Sequence, residues 1–215
     1  MSKTTWKKIG ALGGIAFVVL QLTAQGLIQI GGAEPAFNAT AQEILDFFTA
    51  RNKPLFVIGG YLSTLSIIAF LWFLGSLWGT LKHGEGDPAW MSLVAVASGL
   101  FVMAPIATSG GWALAIFRIG EGLDPQLARL LFDQGNYAFA TLWVFVSSFL
   151  VSAGVVILQS EVLPKWLAWF GFVIAVLSLV SRAFWTYPNM IIFMPYTLFW
   201  VWLIAASIAL VRHSE

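Results

Sequence analysis

The sequence predicts an all-α protein. It reads as a single polytopic transmembrane bundle of six spans, with two short amphipathic interfacial helices on the outer side. Three observations carry that prediction. The 215 residues are 59% hydrophobic and only 10% charged, whereas a soluble domain carries about 25% charge. So few charges could not cover a water-soluble globule of this size. Mean hydropathy is +0.85. Six apolar runs reach the roughly 20 residues needed to cross about 30 Å of hydrocarbon. They cover 9–30, 55–81, 90–117, 137–158, 166–185 and 190–211. As helices, each can satisfy its own backbone hydrogen bonds, as lipid demands.

The first run follows Lys7 and Lys8 and resembles a secretory signal, but it is longer than a typical signal core. It is therefore expected to persist as the first span. Gly10, Gly13 and Gly14 permit close helix approach at its start. Its second half reads Gln21-Leu-Thr-Ala-Gln25-Gly-Leu-Ile-Gln29, three amides at four-residue spacing. An amide without a partner in hydrocarbon costs several kcal/mol, so the stripe is expected to face the bundle or a wet cavity. Ser63, Thr64 and Ser66 on the second span are candidate partners. So are Ser147, Ser148 and Ser152 on the fourth. The structural reading is interhelical hydrogen bonding, worth about 0.6 to 2 kcal/mol each. The functional reading is the polar wall of a ligand pocket or solute path.

After the first span, Thr40 and Glu43 have capping-box spacing, and Ile44, Phe47 and Phe48 fall on one face. This predicts an interfacial helix over about 41–50. The second and third spans are long enough to tilt or kink, and Pro105 and Gly110-Gly111 give the third a place to bend. Glu85-Gly-Asp87-Pro between them reads as a turn. Asp124 suits an N-cap, Pro125 a first helical position and Gly135 a stop. These predict a second interfacial helix over about 125–134, with Leu127, Leu130 and Leu131 as its apolar stripe. The two helices would cap the bundle, or form a lid or docking surface. The turns Pro88-Ala-Trp90 and Pro164-Lys-Trp166 occupy matching places in two helix–span–turn–span units, which suggests a parallel internal repeat.

Tryptophans mark the boundaries: Trp6, Trp78, Trp90 and Trp166 near one interface, Trp112 and Trp185 near the other. Trp72, Trp200 and Trp202 fall deeper, where packing or a ligand accounts for them. For orientation, Lys3, Lys7, Lys8, Lys82, Lys165 and Arg212 lie on one side. Arg51, Lys53, Arg118, Arg129 and Arg182 lie on the other. The basic cluster before the first span decides this near-tie and places both termini in the cytoplasm.

Net charge is +1, which gives no electrostatic case for a nucleic-acid partner. There is no cysteine, and His83 and His213 both sit in charged flanks. No metal site and no cofactor is expected. No carboxylate is buried at mid-membrane, and no Ser or Thr has an evident base beside it. Arg118 and Arg182 end spans on the outer side, where they are expected to snorkel to lipid headgroups or bind another anion. Pairing with Glu121 or Asp124 is the alternative. The candidate ligand- or solute-lining residues are Gln21, Gln25, Gln29, Ser63, Ser66, Trp72, Ser148 and Trp200.

Several loop and interface stretches carry a resemblance: Ile44-Leu-Asp-Phe-Phe, Leu81-Lys-His, Glu85-Gly-Asp-Pro-Ala-Trp90, Glu121-Gly-Leu-Asp-Pro and Val162-Leu-Pro-Lys-Trp-Leu-Ala-Trp169-Phe-Gly. With them the chain resembles a broad group of uncharacterised bacterial multi-pass membrane proteins, a domain of unknown function. The resemblance implies a six-helix bacterial inner-membrane protein and carries over no catalytic residues. The expected role is non-enzymatic: binding lipid or a hydrophobic small molecule, or serving as accessory subunit to other membrane proteins. The rival is a small-solute transporter or channel lined by the glutamines. The third is a membrane enzyme acting on lipid through Asp124, Glu121 and Arg118.

Overall fold

The computed structural model describes residues 3–108, 110–186 and 190–213. Among these residues the chain is all-helical, with no strand. In order come α1 (Lys3–Ile28), α2 (Ala41–Thr49), α3 (Lys53–Glu85), α4 (Trp90–Thr108) and α5 (Gly110–Arg118). A 3-10 turn (Ile119–Glu121) leads to α6 (Pro125–Ser160), α7 (Lys165–Ala183) and α8 (Met190–His213). Five of them (α1, α3, α6, α7 and α8) are long and apolar enough to cross a membrane, and α4 is a shorter apolar helix.

Local chemistry starts these helices where the sequence signals it. Thr40 and Glu43 form a reciprocal capping box on α2. Asn52 Oδ1 accepts from the Leu55 N–H at 3.1 Å to open α3. Asp124 Oδ1 accepts from the N–H groups of Gln126 and Leu127 at 2.8 and 3.2 Å to open α6. At the other end of α3, Gly86 turns the chain with φ of +76°, a conformation open to glycine. Across this turn, Glu85 caps α4. Its carboxylate accepts from Met91 N at 2.9 Å, Ser92 N at 2.7 Å and Ser92 Oγ at 2.5 Å.

Six helices close into a ring. Neighbours run α1–α3–α4–α6–α7–α8 and back to α1, with α3 also touching α6 and α8. Successive members are antiparallel, so α1 begins and α8 ends at one end of the bundle, the terminal end. The other is the cap end. Aromatic rings fill the middle. Phe17 lies 5.1 Å from Phe70, and Phe149 lies 6.0 Å from Phe199 and 5.5 Å from Trp202. All five are at most 1% exposed.

The run 90–117 is helical as α4 and α5, on either side of Ser109, which lies outside the described residues. α4 belongs to the ring, while α5 puts Ala115 and Ile116 into a separate cluster with Ile44, Phe47, Phe48, Phe56, Ala128 and Phe132. The structure departs from the sequence expectation over 125–134, which is not a separate helix. α6 runs unbroken through Gly135 for 36 residues, about 54 Å at 1.5 Å per residue. Gly135 does not stop the helix. It makes room for Trp112, because a Cβ there would lie 2.5 Å from the indole nitrogen. The buried face is accordingly Ala128 and Phe132, while Leu127 and Leu130 are 46% and 63% exposed. The second half of the suggested repeat thus has one helix where the first has α2 and α3.

The cap end therefore has its own core. Trp112 stacks on Phe132 at 5.6 Å and 9°, and Phe47 and Phe48 meet both rings edge-on.

Candidate functional site

Gln21 is 1% exposed and sits between α1 and α3. Its Nε2 donates to Ser66 Oγ at 2.8 Å and to Ser63 Oγ at 3.2 Å. Ser63 Oγ lies 3.5 Å from Gln21 Oε1, a long contact. Ser66 Oγ then donates to the Ser63 carbonyl at 2.6 Å. Both N–H donors of the amide and the Ser66 hydroxyl are spent inside the protein. Thr64, the other candidate on this helix, turns to its own backbone at Gly60 O, 3.0 Å away.

Small residues put these groups within reach. A Cβ on Gly13 would strike the Ala69 carbonyl. One on Gly10 would come within 3.1 Å of the Trp72 carbonyl, and one on Gly59 within 2.8 Å of the Ala24 carbonyl. The α1 and α3 backbones therefore touch on both sides of Gln21.

The rest of the stripe does not join this cluster. Gln25 is half-buried and Gln29 exposed, with no hydrogen bond from either side chain among the described residues. Four residues cover 400° on a helix of 3.6 residues per turn. Each amide is thus about 40° round the axis from the last, and the stripe winds off the α3 interface. Ser148 lies elsewhere, with its Oγ 2.7 Å from Ser98 Oγ between α6 and α4.

The tryptophans also separate. Trp72 is 45% exposed and packs on Trp6 at 5.7 Å, outside the ring. Trp200 packs on Tyr196 at 4.6 Å. Trp202, at 1% exposure, donates from Nε1 to the Leu167 carbonyl at 2.9 Å and is a packing residue between α8 and α7.

At the cap end, Arg118 pairs with Glu121. Asp124, the third residue of that candidate set, is used by the α6 cap. Arg182 lies over the rings of Tyr137 and Trp185, 5.4 and 6.0 Å from their centres. Two residues here carry structure that the sequence reading did not single out. Arg51 is only 8% exposed. Its Nη1 donates to the Ile28 carbonyl at 3.1 Å, closing the end of α1, and its guanidinium lies 3.9 Å from the Phe47 ring centre. Arg129 donates to the Ala39 carbonyl at 3.0 Å and lies 3.7 Å from Asp133. Both reach carbonyls of a preceding loop or helix end, which no local spacing reveals.

Among the described residues, no group of three or more His, Asp or Glu side chains lies close enough together to hold a metal ion. Open concavities occur at the terminal end. One, of about 370 Å³, lies beside Lys82, His83 and Asp87. A larger one, of about 760 Å³, lies between the α6–α7 turn and the last turns of α8. Its walls include Leu163, Trp166, Ile208, Ala209, Arg212 and His213. At its edge Lys165 pairs with Glu161 at 2.8 Å. Compared with known proteins, the chain matches no family model, no curated protein and no solved structure.

Proposed function

We propose that this chain is a non-enzymatic, lipid-engaging protein of a bacterial inner membrane, crossing it six times with both termini in the cytoplasm. The sixth crossing would be α4. Its 19 residues extend about 28 Å, nearly the hydrocarbon thickness, and it fills one place in the ring. The terminal end carries Lys7, Lys8, Lys82, Lys165 and Arg212 against Arg51, Lys53, Arg118, Arg129 and Arg182 at the cap end, and the Lys7–Lys8 cluster before the first span supports a cytoplasmic terminal end. The cap end, with α2 and the start of α6, would then stand at the outer surface.

One observation carries the choice of role. The buried amide is consumed by Ser63 and Ser66 at a single helix pair, and the ring interior is filled by apolar side chains, aromatic and aliphatic. A solute path would need polar groups left free along a wet route. The buried groups without a partner on the ring helices, the hydroxyls of Ser178 and Ser207 and the indole N–H groups of Trp143 and Trp200, are not joined to Gln21 by any hydrogen bond among the described residues. The test is purification into lipid particles, followed by native mass spectrometry and a flux assay in vesicles. Lipid retained at fixed stoichiometry, with no solute flux above empty vesicles, is the expected result. Flux abolished by Gln21→Leu together with Gln25→Leu would instead establish transport.

A second reading has its own support. Leu127 and Leu130 stand exposed on the cap surface of α6, which suits an accessory subunit docking there. Changing both to Ser should then strip a co-purifying membrane protein. A chain that remains alone in every mild detergent refutes that role.

A further inference from the structure

We propose that the groove between the α6–α7 turn and the end of α8 is a binding site for an anionic phospholipid. Its phosphate would sit at Arg212 and His213, and one acyl chain would lie along α8. The proposal rests on the lipid-engaging reading above and adds a site and a headgroup class to it.

The groove has two chemically different ends. Towards the ring it is apolar, with Ala205, Ile208 and Ala209 on one wall and Leu163 on the other. Ala205 and Ala209 are four residues apart, so they share a face of α8. Their short side chains leave a low floor. Ile208 is 42% and Trp166 56% exposed at its sides, so the slot opens toward lipid. Towards the end of the bundle the lining turns basic, with Lys165, Arg212 and His213.

The charges there do not cancel. Glu161 lies 2.8 Å from Lys165 and neutralises it. Among the described residues no acid lies within ion-pair distance of Arg212, so the groove keeps a surplus positive charge. A guanidinium presents paired N–H donors that match phosphate. The first turn of α7 has no side-chain cap, so its N–H groups add to the positive potential. Trp166, exposed at the start of α7 beside the groove, would lie at headgroup depth, which an indole prefers.

The occupant must satisfy both ends. Inorganic phosphate would leave the apolar floor wet. A zwitterionic lipid brings its own cation against Arg212. A lipid with net negative charge covers the floor with a chain and supplies the missing anion. Its source is the membrane leaflet on which the groove opens.

The test uses the full chain in lipid particles containing equal phosphatidylglycerol and phosphatidylcholine, with bound lipid read by native mass spectrometry. Phosphatidylglycerol should be retained preferentially. Arg212→Gln should lower that preference about tenfold, as expected for loss of one hydrogen bond to a charged group. Lys53→Gln at the cap end should leave it unchanged. Ala209→Leu, which raises the floor with Arg212 intact, should also reduce retention. Phosphatidylglycerol brominated on its chains should quench the wild type more than Trp166→Phe. Equal retention by the wild type, Arg212→Gln and Ala209→Leu overturns the groove but leaves lipid engagement standing. Absence of any retained lipid overturns both. Displacement by millimolar inorganic phosphate assigns the site to free phosphate and overturns the lipid occupant.

Discussion

Gln21 and Gly13 act together, because the amide reaches Ser63 and Ser66 only if the α1 and α3 backbones touch. Their substitutions should nonetheless cost different amounts. Gln21→Leu removes two hydrogen bonds but leaves Ser66 bonded to the Ser63 carbonyl. It should destabilise by about 1 kcal/mol, while Gln25→Leu, with no such partners, should change little. Reversible unfolding in mixed detergent micelles measures both, and equal effects would refute the burial difference. Gly13→Ala places a methyl group against the Ala69 carbonyl and within 2.9 Å of the Phe73 nitrogen. These are backbone atoms and cannot rotate away, so α1 and α3 must separate, at a cost of about 1–3 kcal/mol. Gly26→Ala, on the same helix but facing open space, should be neutral or slightly stabilising. Loss of stability in both would mean that helix backbone, not interhelical distance, governs this pair.

Among the elements, the α3–α4 connection has a charge at its centre. Burial alone would raise the Glu85 carboxyl pKa, but hydrogen bonds from the Ser92 hydroxyl and the Ser92 and Met91 N–H groups outweigh it, so the value is lowered. A carboxyl lowered by folding stabilises above its unfolded pKa, near 4.3. That contribution is lost as pH falls through the lower folded value. Wild type should therefore melt above Glu85→Gln at neutral pH, with the gap closing as pH drops below about 4. A gap that stays constant with pH would deny Glu85 this role. The caps at Thr40 and Asp124 were legible in sequence because capping is a local matter of residue type and spacing. The fate of Gly135 was not. A glycine at that place suits a helix stop or a close contact equally well. Only the position of Trp112, from a different helix, makes it the second.

At the scale of the whole molecule, α3 and α6 extend about 50 and 54 Å by their 33 and 36 residues. Both exceed the roughly 30 Å of hydrocarbon. Their surplus at the cap end builds the second core with α2 and α5. The cysteine-free sequence allows a direct test with single introduced cysteines and a membrane-impermeant maleimide in intact bacteria. Leu130→Cys, at a 63% exposed cap position, should label from outside. His83→Cys should label only after permeabilisation. Val176→Cys, mid-way along α7 and 61% exposed on the protein, should resist both because lipid covers it. Exchange of the first two results would invert the topology, and ready labelling of the third would remove α7 from the bilayer.

Composition by itself determined that these helices are apolar enough for lipid, and the capping residues determined where several begin. The inward faces were decided only by the tertiary structure. In water, burial separates apolar from polar and writes a periodic stripe into a helix. In lipid the surroundings are as apolar as the core, so hydrophobicity marks no inside. Contact between small residues, such as Gly13 against Ala69, and the meeting of Gln21 with Ser66 choose the buried face instead. Those choices depend on which helix lies opposite.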